Sequence, residues 1–533
     1  MMKAITRWLR GDGTPQTVPL PGQTQNHAGG FAWGVDMWAQ LDRFLVLGSE
    51  GGTFYVRESA LTLDNVNSAR RCIADDGQRV VRRVVEFSTS GRAPKNAPLI
   101  LVLGLALKTG DVETRQAARA AVQKVCRTGT HLFQLAHVVE MLGGWGRGTR
   151  AAFANWYTDK DASEVAFQAV KYQRREGFSG RDVLRLAHPR PPTPQHNAVF
   201  QWMTKGWDAV PETSPEPALD RIWAFESAKR AESTTQVVDL IDRFRLPREA
   251  VPTQFLSKAE VWQALLTAGN GMPFTALLRN LGKLGSVGLL VPGGAAVQTV
   301  VQRLSDAQRL RRARVHPLAV LIALTTYRRG CGVRGGNTWP VVPQVVDALD
   351  AAFYASFQNV EATGKRWLLG LDVSGSMSMG DIAGLPGITP RVASAAMAMV
   401  TARTESQWSV MGFTGKLVPL AISPRQRLDD VVRTVSGLPF GRTDCAQPMR
   451  YALANRIPVD VFVIYTDNET WCGDVHPSVA LSNYRQRMGI DAKLVVVGMT
   501  ATNVTIADPN DPGMLDVVGF DAAVPRLMRD FVA

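Results

Sequence analysis

Trp367-Leu368-Leu369-Gly370-Leu371 runs directly into Asp372-Val373-Ser374-Gly375-Ser376. The first five residues are apolar without alternation, the pattern of a strand buried on both faces. Three further β-rich runs follow at 407–413, 459–465 and 494–497, separated by helical stretches at 391–403, 445–455 and 478–488. Strand and helix in alternation, with strands apolar on both sides, predict a doubly wound parallel sheet. Ligands in such sheets gather beyond the carboxyl ends of the strands, where Asp372, Ser374 and Ser376 stand. A carboxylate and two hydroxyls at alternate positions of a tight turn offer hard oxygen donors to a small divalent cation. The loop Gly441-Arg442-Thr443-Asp444 and the later strand end Thr466-Asp467-Asn468-Glu469 can add a threonine hydroxyl and a second carboxylate.

Competing chemistries at these loops lack their parts. A phosphatase-type nucleophile at Asp372 needs a second aspartate where Ser374 stands, and no GxSxG elbow surrounds Ser374, Ser376 or Ser378. Gly412-Phe413-Thr414-Gly415-Lys416-Leu417 is too short between its glycines for a phosphate-binding loop and has no Ser or Thr after the lysine. The reading is therefore non-enzymatic. Asp372, Ser374, Ser376, Thr443 and Asp467 resemble, in order, the metal-ion-dependent adhesion site of von Willebrand factor A domains. That resemblance implies bound Mg²⁺ or a similar divalent ion, with water or a partner's carboxylate completing its shell.

The rest of the chain has a different texture. Lys and Arg number 60 against 47 Asp and Glu, a net charge of +13. Residues 363–533 hold 16 basic and 16 acidic residues, and residues 1–362 hold 44 and 31, so the whole excess lies in the N-terminal part. A polyanion-binding domain over 1–362 joined to a neutral A-type domain over 363–533 follows, and nucleic acid is the commonest polyanion. From about residue 65 to 357 the sequence reads as successive helices, among them 114–126, 149–157, 164–175, 258–267 and 317–327, with Gly/Pro punctuation between them. No fixed repeat period is visible, so a bundle or a degenerate α-solenoid is expected. Five scattered cysteines without a CxxC pair, and no apolar run longer than about ten residues, point to a cytoplasmic protein with no membrane span.

One basic cluster in this part has useful spacing. Lys171, Arg174 and Arg175 fall at i, i+3 and i+4 of a helix expected to end at Gly177. Ser179-Gly180-Arg181-Asp182 then reads as a capping box opening a second helix that carries Arg181, Arg185 and His188 on one face. Such an edge can contact phosphates or stack on a base. The run Arg303, Arg309, Arg311, Arg312 and Arg314 reads first as a solvated face, and Trp145, Trp156 and Tyr157 read first as core.

Gly48-Ser49-Glu50-Gly51-Gly52-Thr53-Phe54-Tyr55, Cys126-Arg127-Thr128-Gly129-Thr130-His131-Leu132-Phe133, Trp145-Gly146-Arg147, the stretch from Met272 to Lys283 and His316-Pro317 resemble segments of the Ro autoantigen family. The resemblance implies a ring of HEAT-like helical repeats, the TROVE module, closed by the A domain. It also implies Y RNA binding on the outer surface, at Lys171, Arg174 and His188, and capture of single-stranded ends of misfolded or immature RNAs in the central hole. Arg127, Thr130 and His131 are further RNA-binding candidates. The implied setting is a monomer in RNA quality control, ribosomal RNA maturation and stress survival, with an exoribonuclease such as polynucleotide phosphorylase as a partner. The competing reading is a protein-interaction adaptor whose metal site captures a partner's carboxylate.

Overall fold

Helix follows helix from Met37 to Ala355 in this computed structural model, which describes residues 13–50, 52–269, 271–332, 336–357, 361–382, 385–438 and 441–533. The longest helix, Glu58–Ser90, spans 33 residues and bends at Asp76. Its buried residues Ala69, Cys72, Ile73, Val80, Val84 and Phe87 recur at helical spacing, and the helix packs on Met37–Leu47, Ala97–Thr109 and Val112–Val125. Each later helix packs on a near neighbour in sequence, with 147–158 against 180–187, 220–229 against 234–244, and 317–329 against 343–355. These local pairings make a curved α-solenoid with one continuous apolar core.

Arg366–Asp372 and Gln407–Phe413 pair in parallel, as do Arg366–Asp372 and Val461–Thr466, Val461–Thr466 and Lys493–Gly498, and Lys493–Gly498 and Met514–Val518. Leu417–Pro419 adds an antiparallel edge to complete six strands. Alternate strand residues serve two cores. Leu369, Leu371, Val463 and Val495 join the core shared with the solenoid, whereas Leu368, Phe462, Ile464 and Leu494 pack toward the helices at 447–454 and 477–488. The sheet is doubly wound, as its apolar runs predict.

The C-terminal domain closes the solenoid into a ring. Arg43 is wholly buried and donates to the carbonyls of Thr502 and Val504 and, twice, to Asp516. Arg92 pairs with Asp521 at 2.5 Å. Across the other end of the solenoid, Arg328 pairs with Asp429 at 2.6 Å, Arg427 with Asp347 at 2.5 Å and Arg403 with Asp350 at 3.3 Å. The two ends of the solenoid also meet directly, where His316 Nε2 lies 3.0 Å from the Arg92 carbonyl.

Two features depart from the sequence reading. The helix expected over 164–175 ends at Lys171. Arg174–Arg175 and Phe178–Ser179 instead form a two-residue hairpin, with φ 49° at Glu176 and 82° at Gly177. Positive φ at both turn positions is the geometry that joins strands in their natural twist, and glycine supplies the second position without strain. Lys171, Arg174 and Arg175 therefore do not share a helix face. The start of the chain also lies on the C-terminal domain. Strands Gln23–Gln25 and Phe31–Gly34 pair with each other, and Phe31–Gly34 pairs antiparallel with Val504–Thr505.

Candidate functional site

Parallel pairing of Leu371 with Tyr465 brings the two strand ends side by side, so that Asp372 and Asp467 emerge together. Asp372 Oδ1 accepts the Ser374 amide at 2.9 Å and Oδ2 accepts the Thr466 hydroxyl at 2.8 Å. The Ser374 and Ser376 hydroxyls lie 3.1 Å apart, and Ser376 is hydrogen-bonded to Asp467. Thr443 stands on the neighbouring loop, where its carbonyl accepts the amides of Trp471 at 3.1 Å and Cys472 at 3.0 Å. All five residues are buried.

Burial raises the pKa of both carboxyls, and the neighbouring Asp372 and Glu469 charges help lift Asp467 to about 8. Arg391 is the cation near Asp372, but its guanidinium donates to the Val373, Ser374 and Leu438 carbonyls. Two buried carboxyls and the Ser374 and Ser376 hydroxyls thus converge, with Thr443 on the adjoining loop and Arg391 as a nearby cation. The residues fit a hard divalent ion that prefers an octahedral shell of oxygens. Among the described residues no cluster of three or more His, Cys, Asp and Glu offers an alternative metal site.

The N-terminal part of the chain covers this centre. Tyr55 is hydrogen-bonded to Ser376. A pocket beside the two strand ends has Ser376, Met379 and Asp467 on one wall and Ser49, Glu50 and Phe54 on the other. Beneath the loops, Gln16 donates to Asp444 at 2.6 Å and to the Val475 carbonyl at 2.8 Å, and accepts from Thr470. Asn26 donates to the Thr470 carbonyl at 2.7 Å, and His27 Nδ1 lies 2.7 Å from Glu469.

A far larger cavity, about 1120 Å³, lies where the solenoid's two arms face one another. Its described lining contains Lys95, Arg127, Arg279, Lys283, Arg312 and Arg314, and no Asp or Glu. Among the described residues, none of these except Lys95 has a carboxylate partner, while Arg127 donates to the Ser88 carbonyl at 2.8 Å and hydroxyl at 2.7 Å. Thr130 and His131 line the same cavity. Burial, then the Arg127 charge, lowers the His131 pKa to about 4, so its imidazole is neutral at ordinary pH. Trp339 closes part of the wall by lying against Gly282, where any Cβ would stand 2.6 Å from the indole.

The outer edge carries the other basic candidates. Arg174 is exposed on the hairpin, and Arg181, Arg185 and His188 are exposed on or just beyond the following helix, Gly180–Ala187. The capping box is present, with Ser179 and Asp182 each accepting the other's amide. Lys171 is recessed, with its ammonium 5.4 Å from the Phe167 ring and 5.5 Å from the Tyr172 ring, and burial lowers its pKa. Trp156 and Tyr157 are core residues, 1% and 2% exposed. Sequence spacing gave no sign that Arg279 and Lys283 meet Arg127 and Arg314. Their only local signal is i, i+4 spacing on Phe274–Ser286.

Comparison with known proteins covers the whole chain. A TROVE-domain family model matches residues 24–329, and a Ro60 vWA-domain model matches residues 366–532. The chain is 46% identical to a Deinococcus radiodurans protein named RNA-binding protein RO60, covering 99% of each chain. It is 34% identical to a Caenorhabditis elegans protein of the same name, over 96% of this chain and 90% of that one. The crystal structure of the Deinococcus radiodurans Ro (RSR) protein superposes with a TM-score of 0.70, covering 93% of this chain and 99% of that one.

Proposed function

This chain belongs to the Ro60 family, and from that membership we propose that it is a non-enzymatic RNA-binding protein that uses two separate surfaces. The cavity takes single-stranded RNA ends, and the edge bearing Arg174, Arg181, Arg185 and His188, with Lys171 behind it, takes a folded small noncoding RNA of the Y type. The observation that carries this reading is the lining of the cavity, six cations with no carboxylate among the described residues. A strand of phosphates entering there meets charge of one sign in a confined space, where screening by water and salt is weakest. Tyr172, partly exposed in the same wall, offers an aromatic surface to an unstacked base. The outer edge is exposed at Arg174, Arg181, Arg185 and His188, so it suits the backbone and 2′-hydroxyls of a helix.

Mg²⁺ or a similar ion belongs, in this reading, to Asp372, Ser374, Ser376, Thr443 and Asp467. Bound there, it supplies a positive centre that a partner protein's carboxylate can ligate. Function in RNA quality control and ribosomal RNA maturation, with an exoribonuclease as a partner, rests on the family alone. No described helix is long and apolar enough to cross a membrane.

Binding of two probes to the full chain tests the division between surfaces. Arg279→Ala with Lys283→Ala should weaken binding of a single-stranded oligonucleotide and leave a Y-type hairpin RNA nearly unaffected. Arg174→Ala with His188→Ser should do the reverse. Equal losses for both probes in both variants would reject two separate surfaces.

A further inference from the structure

Two loops from opposite arms of the solenoid meet at one helix end without a counter-charge. Arg127 lies between Val112–Val125 and Gly129–Met141, and Arg314 lies far later in the chain, between Ala307–Arg312 and Pro317–Arg329. Both attach to the end of Glu58–Ser90. Arg127 donates to the Ser88 carbonyl at 2.8 Å and hydroxyl at 2.7 Å. The Arg314 side chain starts beside Gly91, where an added Cβ would stand 3.3 Å from the Arg314 Cβ. Ser88 belongs to the last turn, whose carbonyls lack intrahelical partners and favour a cation, so Arg127 is anchored there without a carboxylate. Among the described residues the Arg314 guanidinium has no hydrogen-bond or carboxylate partner.

Both arginines are exposed and both line the cavity. Burial, and then the Arg314 charge, lowers the pKa of Arg127, so the two guanidiniums feel one another. The loop that carries Arg314 is fixed rather than slack. Arg314 holds φ 48°, a left-handed conformation uncommon outside glycine, and its amide and that of Val315 bond back to Arg311 and Leu310. Two residues on, His316 Nε2 meets the Arg92 carbonyl at 3.0 Å, the direct contact between the two arms. A pair of like charges thus faces the cavity at the point where the arms join.

We infer that one RNA phosphate bridges Arg127 and Arg314, so that RNA in the cavity locks the junction between the two arms. This rests on the proposed assignment of single-stranded RNA to the cavity. A phosphodiester carries one negative charge and two unesterified oxygens, one for each guanidinium. Bound there, it turns a repulsive contact into two charge-assisted ones, one from each arm. Other cavity cations cannot do this. Arg279 and Lys283 stand on a single helix, Phe274–Ser286, so a phosphate shared by them ties no separate parts of the chain together. By linkage, RNA tightens the junction by the factor with which a closed junction raises RNA affinity.

The test uses the full chain and single-stranded oligouridylate, with hydrogen exchange of the backbone amides of 88–92 and 314–316 reporting on the junction. Oligouridylate saturates every form, so differences in affinity do not enter this readout. In the parent it should slow exchange in both segments by about ten-fold, and in Arg314→Gln by about two-fold or less. Without RNA, Arg314→Gln should exchange about two-fold more slowly than Arg314→Lys, which keeps the charge and meets the same left-handed backbone. In binding, Arg127→Gln and Arg314→Gln should each cost about ten-fold in affinity, and the double variant little more than either alone, because both break one bridge. Parent-like slowing by RNA in Arg314→Gln, losses that multiply in the double variant, or RNA-free exchange in Arg314→Gln no slower than in Arg314→Lys would each overturn the bridge. If Arg127→Gln does not fold, the two exchange comparisons at Arg314 decide. Normal oligouridylate binding by the parent with no change at 88–92 and 314–316 rejects the bridge alone, whereas no binding by the parent rejects the cavity assignment and the bridge with it.

Discussion

Replacing Arg43 should open the ring. The guanidinium sits in the seam between Met37–Leu47 and the C-terminal sheet, fully buried. It donates to the Thr502 carbonyl at 2.6 Å, the Val504 carbonyl at 2.8 Å and both Asp516 oxygens at 2.7 Å. Charge-assisted bonds of this kind contribute about 1.5–3 kcal/mol each when taken singly, but they share one cation and do not add. Breaking a buried pair by removing one member costs about 3–5 kcal/mol. Asp516 is 19% exposed and keeps the Thr505 hydroxyl at 2.7 Å, which places the loss near the lower figure. A loss of about 3 kcal/mol reduces the closed population relative to open forms by a factor of roughly 150. Arg43→Met keeps the aliphatic stem, so the loss reports the head group. A chain of several domains does not unfold in one step, so the assay follows the first denaturant transition together with the radius of gyration in solution. Asp516→Asn is the companion variant, and the double variant should lose less than the sum of the two. A first transition within about 0.5 kcal/mol of the parent, with an unchanged radius, would refute the seam argument.

Acid should weaken the fold through two histidines. His131 and His316 have pKa values lowered to about 4 by burial, and His316 is fixed as a neutral ring by accepting the Leu318 amide at one nitrogen and bonding the Arg92 carbonyl at the other. The unfolded chain takes up these protons first, so stability should fall from pH 6.5 toward pH 4, by at most about 1.4 kcal/mol per pH unit for each histidine. A pH–stability profile of His131→Gln that is as steep as the parent's would contradict this. At the metal loops, Asp372→Asn keeps an acceptor for the Thr466 hydroxyl and should abolish Mg²⁺ uptake in calorimetry without loss of helix or sheet signal. Residues 363–533 expressed alone should be less stable, by proteolysis, than the same segment supplied with residues 13–50, because Gln16, Asn26 and Phe31–Gly34 bond to its loops and its Val504–Thr505 strand.

What the sequence disclosed follows from the range of the forces involved. The strands of the C-terminal sheet are apolar on both faces, so 407–413 coincides with its observed strand and 494–497 lies one residue inside at each end. The positions of Asp372, Ser374, Ser376 and Asp467 at neighbouring strand ends were legible for the same reason, because strand ends place them and their spacing is local. The hairpin at 174–179 was missed since two-residue strands carry no periodicity and the Lys171, Arg174, Arg175 spacing mimics a helix. The Gln23–Gln25 and Phe31–Gly34 strands were missed because they are only three and four residues long, and the second partner of Phe31–Gly34, Val504–Thr505, lies about 470 residues away. The cavity was invisible in detail, since Lys95, Arg127, Arg279 and Arg314 come from four separate stretches that only ring closure brings together.

Closure also explains how a chain with so large an excess of positive charge holds a compact ring while leaving its cations available to RNA. The C-terminal domain has no net charge, but the structure sorts its charges. Asp429, Asp516 and Asp521 face Arg328, Arg43 and Arg92 of the solenoid, and Arg403 and Arg427 face Asp350 and Asp347. All but Arg427–Asp347, whose carboxylate is 63% exposed, are partly buried in the seam, which protects them from screening. Among the described residues, cations without a carboxylate partner include Arg127, Arg279, Lys283, Arg312 and Arg314 around the cavity and Arg174, Arg181 and Arg185 on the outer edge. Like charges crowded around the cavity repel one another, and Arg314 is close enough to lower the pKa of Arg127. That repulsion favours an open ring, and the seam pairs oppose it. Phosphate entering the cavity, as proposed, would remove the repulsion, so RNA and the seam would stabilise the same closed state. A weakened seam should therefore reveal itself twice, as an easier first unfolding transition and as a loss of single-strand affinity, although no seam residue touches the RNA. If Arg43→Met opened the ring in solution yet bound oligouridylate like the parent, closure and RNA binding would be independent, and this account of the charge distribution would fail.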